Sequence, residues 1–212
     1  MMIVYFTEKD TSKEKIEKFL KLAEDDQEFH RDPWDIMPGM FYLKLVSQHI
    51  AEGIAGLNIE LKGMRKYPFG GKIDITKYNG TAEAVIYDDQ KEILSTIKLT
   101  LDNRPDLTEA RLSKVYSLAG ELLDYERDKL NRGKISAIYN SQSAHFNGYE
   151  FDSESLIVPI FGLPFKEKKS LSYPIRWVSD KADNRKLIEV GTGTANFRFT
   201  STQTLERKIS SI

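Results

Sequence analysis

The apolar positions along the chain change period several times, and those changes predict the elements. Residues 2–6 (MIVYF) predict a short strand. From Thr11 the run SKEKIEKFLKLAEDD places Ile16, Phe19, Leu20 and Ala23 on one stripe of a helix, with Thr11 or Ser12 as its N-cap. An irregular segment with His30, Pro33 and Pro38 follows. Gly39 then opens a second helical pattern, MFYLKLVSQHIAEGIAGL, whose apolar residues spread around most of the circumference. Only Lys44, His49 and Glu52 interrupt it, so this helix is expected to be wrapped by other structure rather than laid on a surface.

Beyond it the period shortens to that of strands. Residues 57–66, 71–78, 80–89 and 92–101 alternate or are β-branched, and Asn79-Gly80 between two of them is a hairpin signal. The order then recurs: a helix over about 106–130, stopping near Gly133, and strands at roughly 134–146, 149–160, 170–179 and 187–200. One helix and four strands, twice, predict a duplicated α+β unit. Pro105 discourages a continuing strand, which puts the boundary at Asn103-Arg104-Pro105 and the units at 1–103 and 104–212.

Composition narrows the function classes. The 212 residues are 40% hydrophobic and 30% charged, enough to bury a sizeable core. With 31 basic and 32 acidic residues the net charge is −1, which gives no electrostatic reason to expect nucleic acid or an anionic membrane as partner. The absence of cysteine excludes disulfides, thiolate metal sites and a cysteine nucleophile. The start, MMIVYFTEKD, does not read as a signal peptide and no apolar run is long enough to cross a bilayer, so a cytoplasmic location is expected. Three scattered histidines without metalloprotease spacing argue against a metal centre, and GTGTAN at 191–196 lacks the lysine and the helix of a phosphate loop.

The chemistry concentrates in residues 25–48. His30 is followed by six residues (RDPWDI), Met37-Pro38-Gly39, a helix, and Gln48. This spacing resembles the β-hydroxyacyl-acyl carrier protein dehydratases, which have a hot-dog fold: one buried helix wrapped by a curved antiparallel sheet, with two units packed to complete each cleft. The resemblance implies a double hot-dog here. It also implies His30 as catalytic base and Gly39 as oxyanion donor, with Met37, Pro38, Met40, Gln48, Trp34 and Phe41 at or beside the acyl chain. The substrate would be linked to acyl carrier protein or coenzyme A, with no cofactor, and a homodimer is a further expectation.

One residue departs from that pattern. The family's acid, five residues after the glycine, is here Lys44. Glu121 and Asp124 on the second unit's helix are candidate replacements. Asp25, five residues before His30, offers another, because that spacing resembles the (R)-specific enoyl-CoA hydratases, although Gln27 and Glu28 stand where their longer loop signature would be. Imidazole titrates near working pH, so an Asp25–His30 pair suits proton transfer beside a thioester carbonyl.

Each of these residues also has a purely structural role open to it. His30 could brace a loop, Asp25 could be a solvated helix end, Trp34 and Phe41 could be core, and His145 in SAHFNG reads as structural. Arg65, Lys66 and Lys72 form a basic hairpin, either a solvated edge or a docking patch for an acidic carrier. The leading expectation is a dehydratase or hydratase of β-hydroxyacyl or enoyl thioesters. A hot-dog thioesterase and a non-catalytic acyl-binding protein are the alternatives.

Overall fold

A computed structural model describes residues 1–126, 135–147, 156–167, 170–181 and 186–212. In chain order the first part runs β1 (Met2–Phe6), α1 (Lys13–Leu22), α2 (Gly39–Ser47), β2 (Gly53–Leu61), β3 (Gly71–Tyr78), β4 (Thr81–Asp88) and β5 (Ile93–Asp102). The second part runs α3 (Thr108–Tyr116), α4 (Leu118–Tyr125), β6 (Ile135–Phe146), β7 (Ile157–Phe161), β8 (Phe165–Glu167), β9 (Ser170–Lys181), β10 (Lys186–Ser201) and α5 (Thr202–Ile209).

The strands form one antiparallel sheet in the order β1-β3-β4-β5-β2-β6-β10-β9-β7, with β8 beside β9. Strands β1–β5 therefore lie on one side of a seam where β2 pairs with β6, and β6–β10 lie on the other. At that seam Gly56 faces His145 and Ile59 faces Gln142. Arg111 of α3 reinforces the start of β2. Its fully buried guanidinium donates from Nη1 to the Ile54 carbonyl at 2.9 Å and to Asp102 at 2.8 Å.

The sheet wraps α2, the apolar helix anticipated from sequence. Met40, Phe41, Tyr42, Leu43, Leu45 and Val46 are all buried, while Lys44 is half-buried. Phe19 of α1 joins this core, edge-on to Phe41 and to Tyr116.

Several elements differ from the sequence reading. Helix α2 stops at Ser47 instead of continuing through AEGIAGL, and Gly53–Leu61 is strand. In that stretch two glycines weaken the helix and the apolar residues Ile54, Leu57 and Ile59 pair with β5. The second long helix is two, α3 and α4, meeting at Ser117, and its expected continuation to residue 130 lies outside the described residues after 126. Of the strand expected over 149–160, Ile157–Phe161 is strand, and residues 149–155 lie outside the described residues. Helix α5 was not anticipated. Its signal is Ser201, which caps it by accepting the Thr204 N–H, followed by Leu205 and Ile209 one turn apart.

Candidate active site

Asp25 is placed by the way α1 ends. Glu24 takes a left-handed conformation (φ 51°), and the Asp25 N–H returns to the Leu20 carbonyl at 3.0 Å, the long closing bond of a Schellman end. The carboxylate is thereby buried. Its Oδ1 accepts from the Gln27 backbone N–H at 3.1 Å and from Gln27 Nε2 at 3.2 Å, so Oδ2 is left to face His30. Arg31 fastens this loop by donating to the carbonyls of Asp26 (2.7 Å) and Asp25 (3.2 Å).

His30 closes a short 3-10 turn, Glu28–His30, and is 6% exposed. Its Nδ1 lies 2.7 Å from the Ile36 carbonyl. A carbonyl only accepts, so Nδ1 carries the hydrogen and the neutral ring presents its lone pair at Nε2. That nitrogen lies 3.4 Å from Asp25 Oδ2. Burial lowers the imidazole pKa below its ordinary 6.5, opposed by the Asp25 charge and the Ile36 hydrogen bond and reinforced by Arg31. The resting ring is neutral, and Asp25 stands ready to stabilise it once protonated. Tyr67 holds the same loop by donating to the His30 carbonyl at 2.6 Å. Its own hydroxyl is pushed up to about 12 by burial and by Asp35.

Asp25 and His30 open onto a cavity of about 270 Å³ that Met37, Pro38, Gly39 and Met40 also line. The first turn of α2 thus meets the cavity with backbone N–H groups that have no partner within the helix, at the positive end of its dipole. Gly39 permits close packing there, since a Cβ would fall 2.1 Å from Leu61 Cδ1. The opposite wall belongs to the other side of the seam. It comprises Tyr116 and Ala119 of α3 and α4, Ala137–Asn140 of β6, and Leu205 and Lys208 of α5. Tyr139 reaches across it to Met40 Sδ at 3.8 Å. Exposure falls from Lys62, Gly63 and Lys208 at the mouth to Phe19, Tyr42 and Tyr116 at the floor.

Several expected site residues lie elsewhere. Phe41 is core, stacked edge-on against Phe19. Trp34 borders a neighbouring groove with Asp26, Glu28 and Asp124. Gln48 is exposed at the far end of α2, roughly 13 Å from Gly39 at 1.5 Å per residue. The two candidate acids of α4, Glu121 and Asp124, do not line the cavity either. Asp124 faces the groove, and half-buried Glu121 accepts from Ser117 Oγ at 2.7 Å, with burial raising its pKa. Lys44 lies over the Phe19 ring, 5.7 Å from its centroid.

His145 is exposed on β6. Arg65 and Lys72 are engaged by Asp88, Asp89 and Asp74, whereas Lys62 and Lys208 are the basic residues at the cavity. Among the described residues no three His, Asp or Glu side chains cluster to hold a metal ion. Nor is any described helix long and apolar enough to cross a membrane.

Comparison with protein-family models and with curated proteins gives no match. Solved structures do match over nearly the whole chain. The dehydratase domain from the CurJ module of the curacin polyketide synthase superposes with TM-score 0.56 at 12% identity, covering 96% of this chain and 92% of that one. An acyl-ACP thioesterase from Bacteroides thetaiotaomicron gives 0.54 at 8% identity, covering 93% and 97%. The tesB protein of Mycobacterium avium subs paratuberculosis gives 0.53 at 9% identity, covering 87% and 99%. Likeness at such identities speaks for the fold alone. That fold is α+β, a hot-dog with a large antiparallel sheet wrapped around a helix.

Proposed function

We propose that this protein is an acyl-thioester dehydratase/hydratase in which His30 and Asp25 act together at the N-terminus of α2. The observation that carries the reading is the pair itself: His30 Nε2 and Asp25 Oδ2, 3.4 Å apart on the wall of the cavity. A neutral imidazole nitrogen and a carboxylate oxygen both accept hydrogen bonds. Such a pair suits a guest with O–H groups to donate, either a water or the β-hydroxyl of an acyl chain.

In the dehydration direction Nε2 takes the proton from the carbon beside the thioester carbonyl. The electron pair moves onto the carbonyl oxygen, where the Gly39 and Met40 N–H groups receive it. Asp25 stabilises the imidazolium and orients the β-hydroxyl through that group's own hydrogen. As the enolate collapses, the hydroxyl leaves with the proton returned from Nε2, and water and an enoyl thioester result. Hydration is the same sequence reversed, and the pair ends each cycle as it began. Met37, Pro38 and Met40 would flank the acyl chain. We propose the units 1–103 and 104–212 as the two hot-dogs whose packing completes the cleft.

The same two groups could direct a water at the thioester carbonyl, and the likeness to an acyl-ACP thioesterase favours keeping that second reading. One experiment separates them. The protein is incubated with 3-hydroxyacyl and trans-2-enoyl thioesters while enoyl absorbance and thiol release are followed. Interconversion lost in His30→Ala supports the lyase, thiol release alone supports the thioesterase, and full turnover in His30→Ala removes His30 from either.

A further inference from the structure

Besides the main core, the molecule has a small separate apolar cluster. Ile36, Leu205 and Ile209 are buried together at 2%, 3% and 1% exposure, with Phe29, Trp34, Met64 and Ile138 packed against them. Two of the three buried members belong to α5, at the end of the chain and across the seam from His30. The third is the residue whose carbonyl holds His30 Nδ1.

The Ile36 backbone is fixed along its own direction. Its N–H donates to the Phe29 carbonyl at 2.9 Å, and it bridges Lys66. The N–H of the peptide that carries the Ile36 carbonyl, that of Met37, donates to the Arg65 carbonyl at 2.9 Å. The Ile36 side chain, on the other side of this backbone framework, rests on Leu205 and Ile209. Helix α5 is itself anchored to the sheet, since Thr202 Oγ1 and Ser136 Oγ of β6 are 3.1 Å apart.

We propose that Leu205 and Ile209 are positioning residues for His30: by seating Ile36 they keep its carbonyl on Nδ1, and so keep the ring in the one tautomer that presents a bare Nε2 to Asp25 and the cavity. The contact is purely apolar and acts through a main-chain oxygen. Ile209 does not line the cavity, so its effect on the reaction passes through Ile36 and the imidazole, whereas Leu205 also belongs to the cavity wall.

The test reads the ring directly. Long-range proton–nitrogen spectra of the full chain at pH 8 report the tautomer of each histidine, and the exposed His49 and His145 serve as internal controls. In the native protein His30 gives a single Nδ1–H pattern. In Leu205→Ser/Ile209→Ser it becomes a mixture of tautomers while His49 and His145 are unchanged, and Leu205→Met, which conserves volume, restores the single pattern. If the double variant does not fold, Leu205→Ala and Ile209→Val give the same change in graded form. A His30 pattern unaltered in the folded variants overturns the proposal. The kinetic arm rests on the lyase reading and uses Ile209→Ser, which lies outside the cavity lining: kcat falls by up to about 100-fold with KM little changed. The spectra do not depend on that reading, so the two can fail separately.

Discussion

Gly120 of α4 lies directly against the main chain at Glu24, so close that a Cβ on it would fall 2.4 Å from the Glu24 carbonyl oxygen. Glu24 is the residue that turns the chain into Asp25. The second half of the molecule therefore sets the height of the carboxylate that faces His30. Gly120→Ala is expected to push this loop outward. The crowding costs about 1–3 kcal/mol, against which alanine returns roughly 1 kcal/mol of helix propensity. Stability measured by urea unfolding should change modestly, while turnover falls steeply. Unaltered turnover would disconnect α4 from the site.

Protonation of His30 gives a signed expectation. Its folded-state pKa lies below 6.5, so the unfolded chain binds the proton more readily. The group's contribution to stability is complete above pH 6.5 and is lost as pH falls from there through the lowered folded value. The difference in Tm between the native protein and His30→Gln should narrow over that acidic window. The acidic limb of kcat/KM should likewise lie below the ordinary histidine range, because the base is the neutral ring.

Chain length should be set at the floor of the cavity. Phe19 closes it and is held edge-on by Phe41 and Tyr116. Phe19→Leu is expected to move the preferred acyl chain upward, each newly buried methylene being worth about 0.8 kcal/mol, or roughly four-fold in kcat/KM. A panel of thioesters of increasing length reads this out. An unchanged optimum would place the chain elsewhere.

Lys44 stands where the resemblance calls for an acid, yet it lies over Phe19 and does not line the cavity. Lys44→Gln should leave turnover unchanged and cost only the cation–π contact, about 0.5–1 kcal/mol. A large loss of kcat would return the lysine to the mechanism.

What the sequence disclosed and what it hid divide along a physical line. The apolar circumference of α2 is a local pattern, and it correctly announced a wrapped helix. The spacing of Asp25, His30 and Met37-Pro38-Gly39 is also local, and those residues do meet at one cavity. Gln48 lies away from the cavity because helical rise carries it to the other end of α2. Tyr116, Tyr139, Asn140 and Leu205 escaped notice because only the β2–β6 pairing brings them to the site, and no periodicity within either strand specifies that partner. Helix α5 was legible in retrospect from Ser201, Leu205 and Ile209, but it is too short to stand out without its packing.

The seam has a bearing on how such a molecule can change over time. When two identical chains complete each other's clefts, every substitution is made twice and must suit both roles. Here both walls belong to one chain, and each position is altered alone. Asp25 and His30 can be kept on one side of the seam while residues across it change as wall and brace. That freedom is the advantage of joining β2 to β6 within a single polypeptide.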